Sequence, residues 1–155
     1  MHFMGAPCTD CRHLGIPSVG EREMGFENKA VQIVSDFLAA SMAPDPVLAA
    51  TFMADDVRIT FTGGRAMPSA HEITAFNAGR YNWVKKQLGQ FDWTEHADHT
   101  VVYSNGTLYG EWPDGRTFSG NRYLDRFEVR DGKITRMDVW NDSAEWILSP
   151  EIAQP

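Results

Sequence analysis

The chain has 155 residues, of which 43% are hydrophobic and 23% charged, enough for one domain with a sizeable core. Its formal net charge of −7 argues against a nucleic-acid backbone or an anionic membrane as partner. No apolar run approaches the roughly 20 residues of a membrane span, the start of the chain lacks a secretion-signal layout, and two cysteines suit a reducing compartment, so a cytoplasmic location is expected.

Residues 1–24 show no periodicity and read as a disordered N-terminal extension, followed by a domain over 25–150 and a tail at 151–155. Cys8 and Cys11 stand at C-x-x-C spacing with His13 two residues on. Structural zinc wants four N or S ligands, and a redox pair opens a helix beside a strand. One pair beside Pro7 and Thr9-Asp10 meets neither condition, so no metal site is expected here.

From Glu27 to Met42 the apolar residues Ala30, Val31, Val34, Phe37, Leu38 and Met42 recur at helical spacing. Asp45-Pro46 is a start signal for a second, short helix over 47–53. Residues 57–62 alternate as a half-buried strand that Gly63-Gly64 ends. Ser69 and Glu72 form a capping box for a helix to about Leu88, stopped by Gly89. Arg80, Lys85 and Lys86 then read as its solvated face, with Tyr81 on the pocket side. The remainder predicts strands over 91–104, 107–112, 116–129 and 134–142. The joining turns are Ser104-Asn105-Gly106, Pro113-Asp114-Gly115 and Arg130 to Lys133, and a final helix covers 143–148. Helices first and an antiparallel meander after is the α+β pattern.

Strand parity sorts the side chains. Over 119–129 one face carries Asn121, Tyr123, Asp125, Phe127 and Val129, while the other carries Arg122, Leu124, Arg126 and Glu128, so the first faces inward. Asp125 is then a carboxylate on a core face, which must be hydrogen-bonded or protonated to persist. Over 134–142, Thr135, Met137, Val139 and Asn141 share the inner face, and Ile134, Arg136, Asp138 and Trp140 the outer. Asp142 is placed to cap the last helix. Without a bulge, His99 lines up inward with Phe91, Trp93 and Tyr103.

Helix, short helix, FMADDV (52–57) entering a strand, a capped helix, then RFEVRDGKI (126–134) and an Asp-containing strand resemble the SnoaL-like and ketosteroid-isomerase-like branch of the NTF2-like superfamily, over about residues 26–148. The resemblance implies a cone-shaped α+β barrel, with N-terminal helices packed on a curved, mainly antiparallel sheet around an apolar pocket. It also implies work without metal or cofactor, and a homodimer paired through the outer sheet face. Asp125 falls where ketosteroid isomerases hold the protonated Asp of their oxyanion hole. Their Tyr matches Phe37 and their general-base Asp matches Phe61, so that mechanism is not expected. The Arg and last Asp of limonene-type epoxide hydrolases match Trp112 and Val139, which removes that mechanism too.

The expectation is therefore a small cofactor-independent enzyme performing acid/base chemistry on an apolar, oxygen-bearing molecule. Asp125 would be the acid and His99 the base, since its pKa lies near neutrality. Tyr123, Asn121, Asn141, Tyr81 and Trp112 would bind the ligand. The alternative is a non-catalytic ligand-binding or protein-interaction domain on the same scaffold.

Overall fold

The structure, a computed structural model, describes residues 28–148. The extension with Cys8, Cys11 and His13 and the tail at 151–155 lie outside the described residues. Two helices, α1 (Lys29–Met42) and α2 (Pro46–Thr51), precede strands β1 (Met53–Phe61) and β2 (Arg65–Met67), which flank a tight turn at Thr62–Gly64. Helix α3 (Ala70–Arg80) leads to β3 (Trp83–Glu95), β4 (Thr100–Glu111), β5 (Thr117–Arg130) and β6 (Lys133–Asn141), and α4 (Ser143–Leu148) ends the described chain.

The first three helices begin at side-chain caps, and two of these, Asp45 and Ser69, stand where the sequence places them. Asn28 Oδ1 accepts from the backbone N–H of Ala30 and Val31, at 2.8 and 3.3 Å. Asp45 accepts from Leu48 at 2.9 Å ahead of Pro46, and Ser69 from Glu72 at 3.3 Å.

The six strands form one curved, open sheet in the order β2-β1-β6-β5-β4-β3. It is mixed rather than a closed barrel: β1 runs parallel to β6, and every other pairing is antiparallel. Helix α1 lies across the concave face and buries Val31, Val34, Phe37 and Leu38 against Val102, Phe127, Ile134 and Val139. Phe37 meets Phe127 edge-on at 5.8 Å.

Three expectations need correction. The helix from Ser69 stops at Arg80, and 83–95 is a strand, so Lys85 and Lys86 sit on β3. There the unpaired edge of β4 recruits the segment: Asn82 N–H bonds to Glu111 O at 2.9 Å and Trp83 pairs with Glu111. Ladder hydrogen bonds outweigh the continued helical spacing. The turn expected at Ser104-Asn105-Gly106 lies inside β4, and the chain reverses at 96–99 instead, with His96 N–H bonding to His99 O at 2.8 Å. Finally, irregular pairing between β5 and β6 near Glu128/Val129 turns Ile134 inward, fully buried against the core, rather than outward beside Trp140.

Gly106 is required by close approach rather than by a turn. A Cβ there would stand 2.2 Å from Gln87 O and 2.9 Å from Gly89 N on β3. Gly106→Ala is therefore expected to destabilise the fold by about 1–3 kcal/mol through strand displacement, read as a lower urea midpoint at unchanged slope.

Candidate functional site

Strand β5 sends Asn121, Tyr123, Asp125, Phe127 and Val129 to the core face, and all five are buried. Asp125 has no solvent-exposed surface. Its partner comes from β3: Lys86 Nζ donates to Asp125 Oδ2. The same ammonium stands 3.5 Å above the centre of the Tyr123 ring, a cation–π contact. The Tyr123 hydroxyl bonds to the buried Ser104 Oγ at 3.0 Å. Ser104 and Asp125 are paired across β4 and β5, so these four side chains form one cluster.

The electrostatics follow from burial. Desolvation pushes the Asp125 carboxyl up from its ordinary value, against the attraction and hydrogen bond of Lys86. Desolvation likewise lowers Lys86, against the attraction of Asp125. Burial raises Tyr123 to about 12, with Asp125 adding and the Ser104 bond opposing, so the phenol keeps its proton. The pair thus has a lysine made more acidic beside a carboxylate made more basic, and Asp125 Oδ1 has no hydrogen-bond partner among the described residues.

A second polar file lies further along β5. Asn121 Nδ2 donates to Ser143 Oγ at 2.9 Å, and the Tyr81 hydroxyl meets the same Oγ at 2.7 Å. Asn121 Oδ1 is also buried without a partner among the described residues. Two orphan acceptors on one face are costly to leave unpaired, which marks the place where a donor-bearing ligand would gain most. Tyr81 stacks on Trp112 at 5.2 Å, and Trp112 on Phe118 at 4.3 Å. Tyr81 also lines a cleft of about 330 Å³ between α1, α2, α3 and the start of β3. Met42 lines this cleft, and its Sδ accepts from the backbone N–H of Lys86 at 3.1 Å.

The structure thus gathers Asp125, Tyr123, Asn121, Tyr81 and Trp112 on one side of the sheet. It does not bring His99 to them. The Gly89-Gln90 bulge and the reversal at 96–99 change the parity, so Val102, Ser104, Gly106 and Leu108 follow inward on β4. His99 lies in that reversal, bonded to Asp98 at 2.7 Å and stacked on His96 at 4.7 Å. It is five residues from Ser104, or roughly 16 Å of extended chain. Asn141 Oδ1 accepts from Ser143 N–H at 3.1 Å, so Asn141 holds the entry to α4, the capping place expected for Asp142. The Asp142 side chain instead pairs with Arg122 at 2.6 Å. Asp138 points outward as parity requires and is held there by Arg126 and Arg136, at 3.2 and 2.8 Å.

Sequence reasoning missed Lys86, Ser104 and Ser143. Lys86 was legible in the alternation of Val84, Lys86 and Leu88, which fits a strand as well as a helix.

The pair makes opposite demands on pH when halved. In Lys86→Met, Asp125 loses the group that lowers its pKa. The folded state then holds a proton that the unfolded carboxyl releases near 3.8, so stability falls as pH rises above about 4. In Asp125→Asn, Lys86 loses the group that raises its pKa. The unfolded lysine holds a proton that the folded one releases, so stability increases as pH rises toward 10.5. Urea midpoints from pH 5 to 9 should slope down for the first variant and up for the second, and each should lose about 3–5 kcal/mol at its unfavourable end.

Comparisons with known proteins fit this geometry. A family model described as a SnoaL-like domain matches residues 34–137, more than half of the chain. No curated protein matches it. An NTF2-like protein of unknown function from Burkholderia pseudomallei is 20% identical with a TM-score of 0.64, over 78% of this chain and 96% of its own. TerC, co-crystallised with polyporic acid, is 20% identical with a TM-score of 0.63, over 80% and 99%. A candidate polyketide cyclase from Xanthomonas campestris is 22% identical with a TM-score of 0.60, over 77% and 95%. At such identities the structural likeness shows the fold alone. With the family model matched from the middle of α1 into β6, the chain belongs to the SnoaL-like family and carries the NTF2-like fold.

Proposed function

We propose that the chain is a small cofactor-independent enzyme performing acid/base chemistry (isomerisation, dehydration, cyclisation or water addition) on an apolar, oxygen-bearing small molecule. The observation that carries this reading is the buried Lys86–Asp125 pair with its free carboxylate oxygen. An ammonium has three N–H donors. One is engaged by Asp125 and the Tyr123 ring shields one side, which leaves donor capacity for a substrate oxygen. Charge developing on that oxygen would be met by Lys86 in a site shielded from water, where such a contact is strongest. Desolvation makes Lys86 a better proton donor near neutral pH, and Asp125, its own pKa raised, is the matched acceptor that takes a proton from the substrate. The oxygenated end of the ligand would reach this face from the cleft beside Tyr81, with Asn121 Oδ1 accepting a substrate hydroxyl. The likenesses to a candidate polyketide cyclase and to TerC support hydroxylated, ring-bearing compounds as the first substrates to test.

A second reading, a binding domain without turnover, is favoured by the complete burial of Asp125. The two separate experimentally. A thermal-shift panel of polyporic acid, aromatic polyketide-like ketones, steroids and terpenoid epoxides should raise the melting temperature for one class. Turnover of that class should then fall about 100-fold or more in Asp125→Asn while affinity changes little. Binding without conversion, altered only in affinity by Asp125→Asn, would establish the second reading instead.

A further inference from the structure

A different face of α3 carries a feature that neither the proposed chemistry nor the core uses. Helical spacing puts Ala75, Phe76, Gly79 and Arg80 on the side away from Thr74, Asn77, Ala78 and Tyr81, which line the cleft. With Thr62, Gly63, Arg65 and Ala144 they border an open groove of about 610 Å³. Two guanidiniums converge on one ring there. Arg65 Cζ lies 4.9 Å and Arg80 Cζ 5.6 Å from the centre of Phe76. Phe76 is itself fixed edge-on against the buried Phe61 at 5.6 Å. Arg80 also donates to Thr62 Oγ1 at 3.3 Å and lies 5.7 Å from the Tyr81 ring.

Among the described residues these two arginines have no carboxylate partner, in a chain of net charge −7. Arg116, Arg122, Arg126, Arg130 and Arg136 each hold an acidic side chain, whereas Arg58, Arg65 and Arg80 are in no ion pair among the described residues, and of these three Arg65 and Arg80 share one groove. A guanidinium stacked on a ring keeps its N–H edge free, and that edge matches a carboxylate. Gly79 adds an independent sign. A glycine inside a helix costs about 1 kcal/mol relative to alanine, yet a Cβ at Gly79 would meet nothing within 4 Å. No neighbour demands the glycine, and its effect is to keep the groove wall bare.

We infer that this groove binds a small organic carboxylate, with the carboxylate held by Arg65 and Arg80 and the apolar body resting on Phe76, Ala75 and the bare wall at Gly79. The test is calorimetric titration of the full chain with benzoate at fixed ionic strength, with acetate and inorganic phosphate in parallel. Saturable one-to-one binding of benzoate is expected, at least tenfold tighter than that of either small anion. Arg65→Gln and Arg80→Gln should each weaken it at least tenfold, and Arg116→Gln, at an exposed ion pair outside the groove lining, should leave it unchanged. Gly79→Leu should raise the melting temperature through helix propensity while weakening benzoate. No saturable binding overturns the inference, as does binding retained in both arginine variants or phosphate equal to benzoate.

Discussion

A carboxylate that no water reaches must find a cation inside the protein or give up its charge. That constraint organises this molecule around Asp125, at the middle of the central stretch of β5 and without exposed surface. The cation has to come from an element that is itself accessible to a long side chain, and β3, the edge strand, supplies it through Lys86. Because Lys86 stands over Tyr123, and Tyr123 bonds to Ser104, the pair fixes the side chains of three adjacent strands at once. Helix α1 closes the face above them: its C-terminal Met42 takes the Lys86 backbone N–H on sulfur and the Lys85 ammonium on its carbonyl, at 3.1 and 2.7 Å.

The apolar part of the core lies toward β1 and β6, where Phe37, Phe127, Ile134 and Met137 pack in one hydrophobic cluster. The aromatic part, Tyr81, Trp112 and Phe118, lies at the other end beside the cleft. The polar file of β5 runs between them, and two of its oxygens, on Asn121 and Asp125, have no partner among the described residues. An interior that satisfied every polar group would be a structural core. One that leaves two acceptors open along a single strand face, next to a cleft, has the makings of a binding surface.

The elements that were legible in the sequence are those whose signals are local. Asp45-Pro46 and Ser69 cap helices by bonding to backbone three residues away, and β5 reads clearly because its outer face is nearly all charged. What failed depends on partners distant in sequence. Residues 83–88 suit a helix or a strand, and only the open edge of β4 decides between them. Asn105-Gly106 looks like a hairpin turn, yet the glycine is there because Gln87 and Gly89 approach it from the next strand. Those two misreadings hid Lys86 and displaced His99, so Asp125 was found without its partner. The groove of Arg65 and Arg80 was equally invisible, since it joins a turn to a helix face through Phe76.

The central claim is that Asp125 is shielded from bulk water and that, among the described residues, its charge is held by Lys86. Its most direct test is a pH titration of the Asp125 side-chain carboxyl carbon by NMR, with the Lys86 Nζ resonance followed in the same sample. The account predicts an Asp125 midpoint above the ordinary 3.8 and a Lys86 midpoint below 10.5, each resonance also responding when the other group titrates. An Asp125 midpoint at or below 3.8, with Lys86 unaffected, would contradict it.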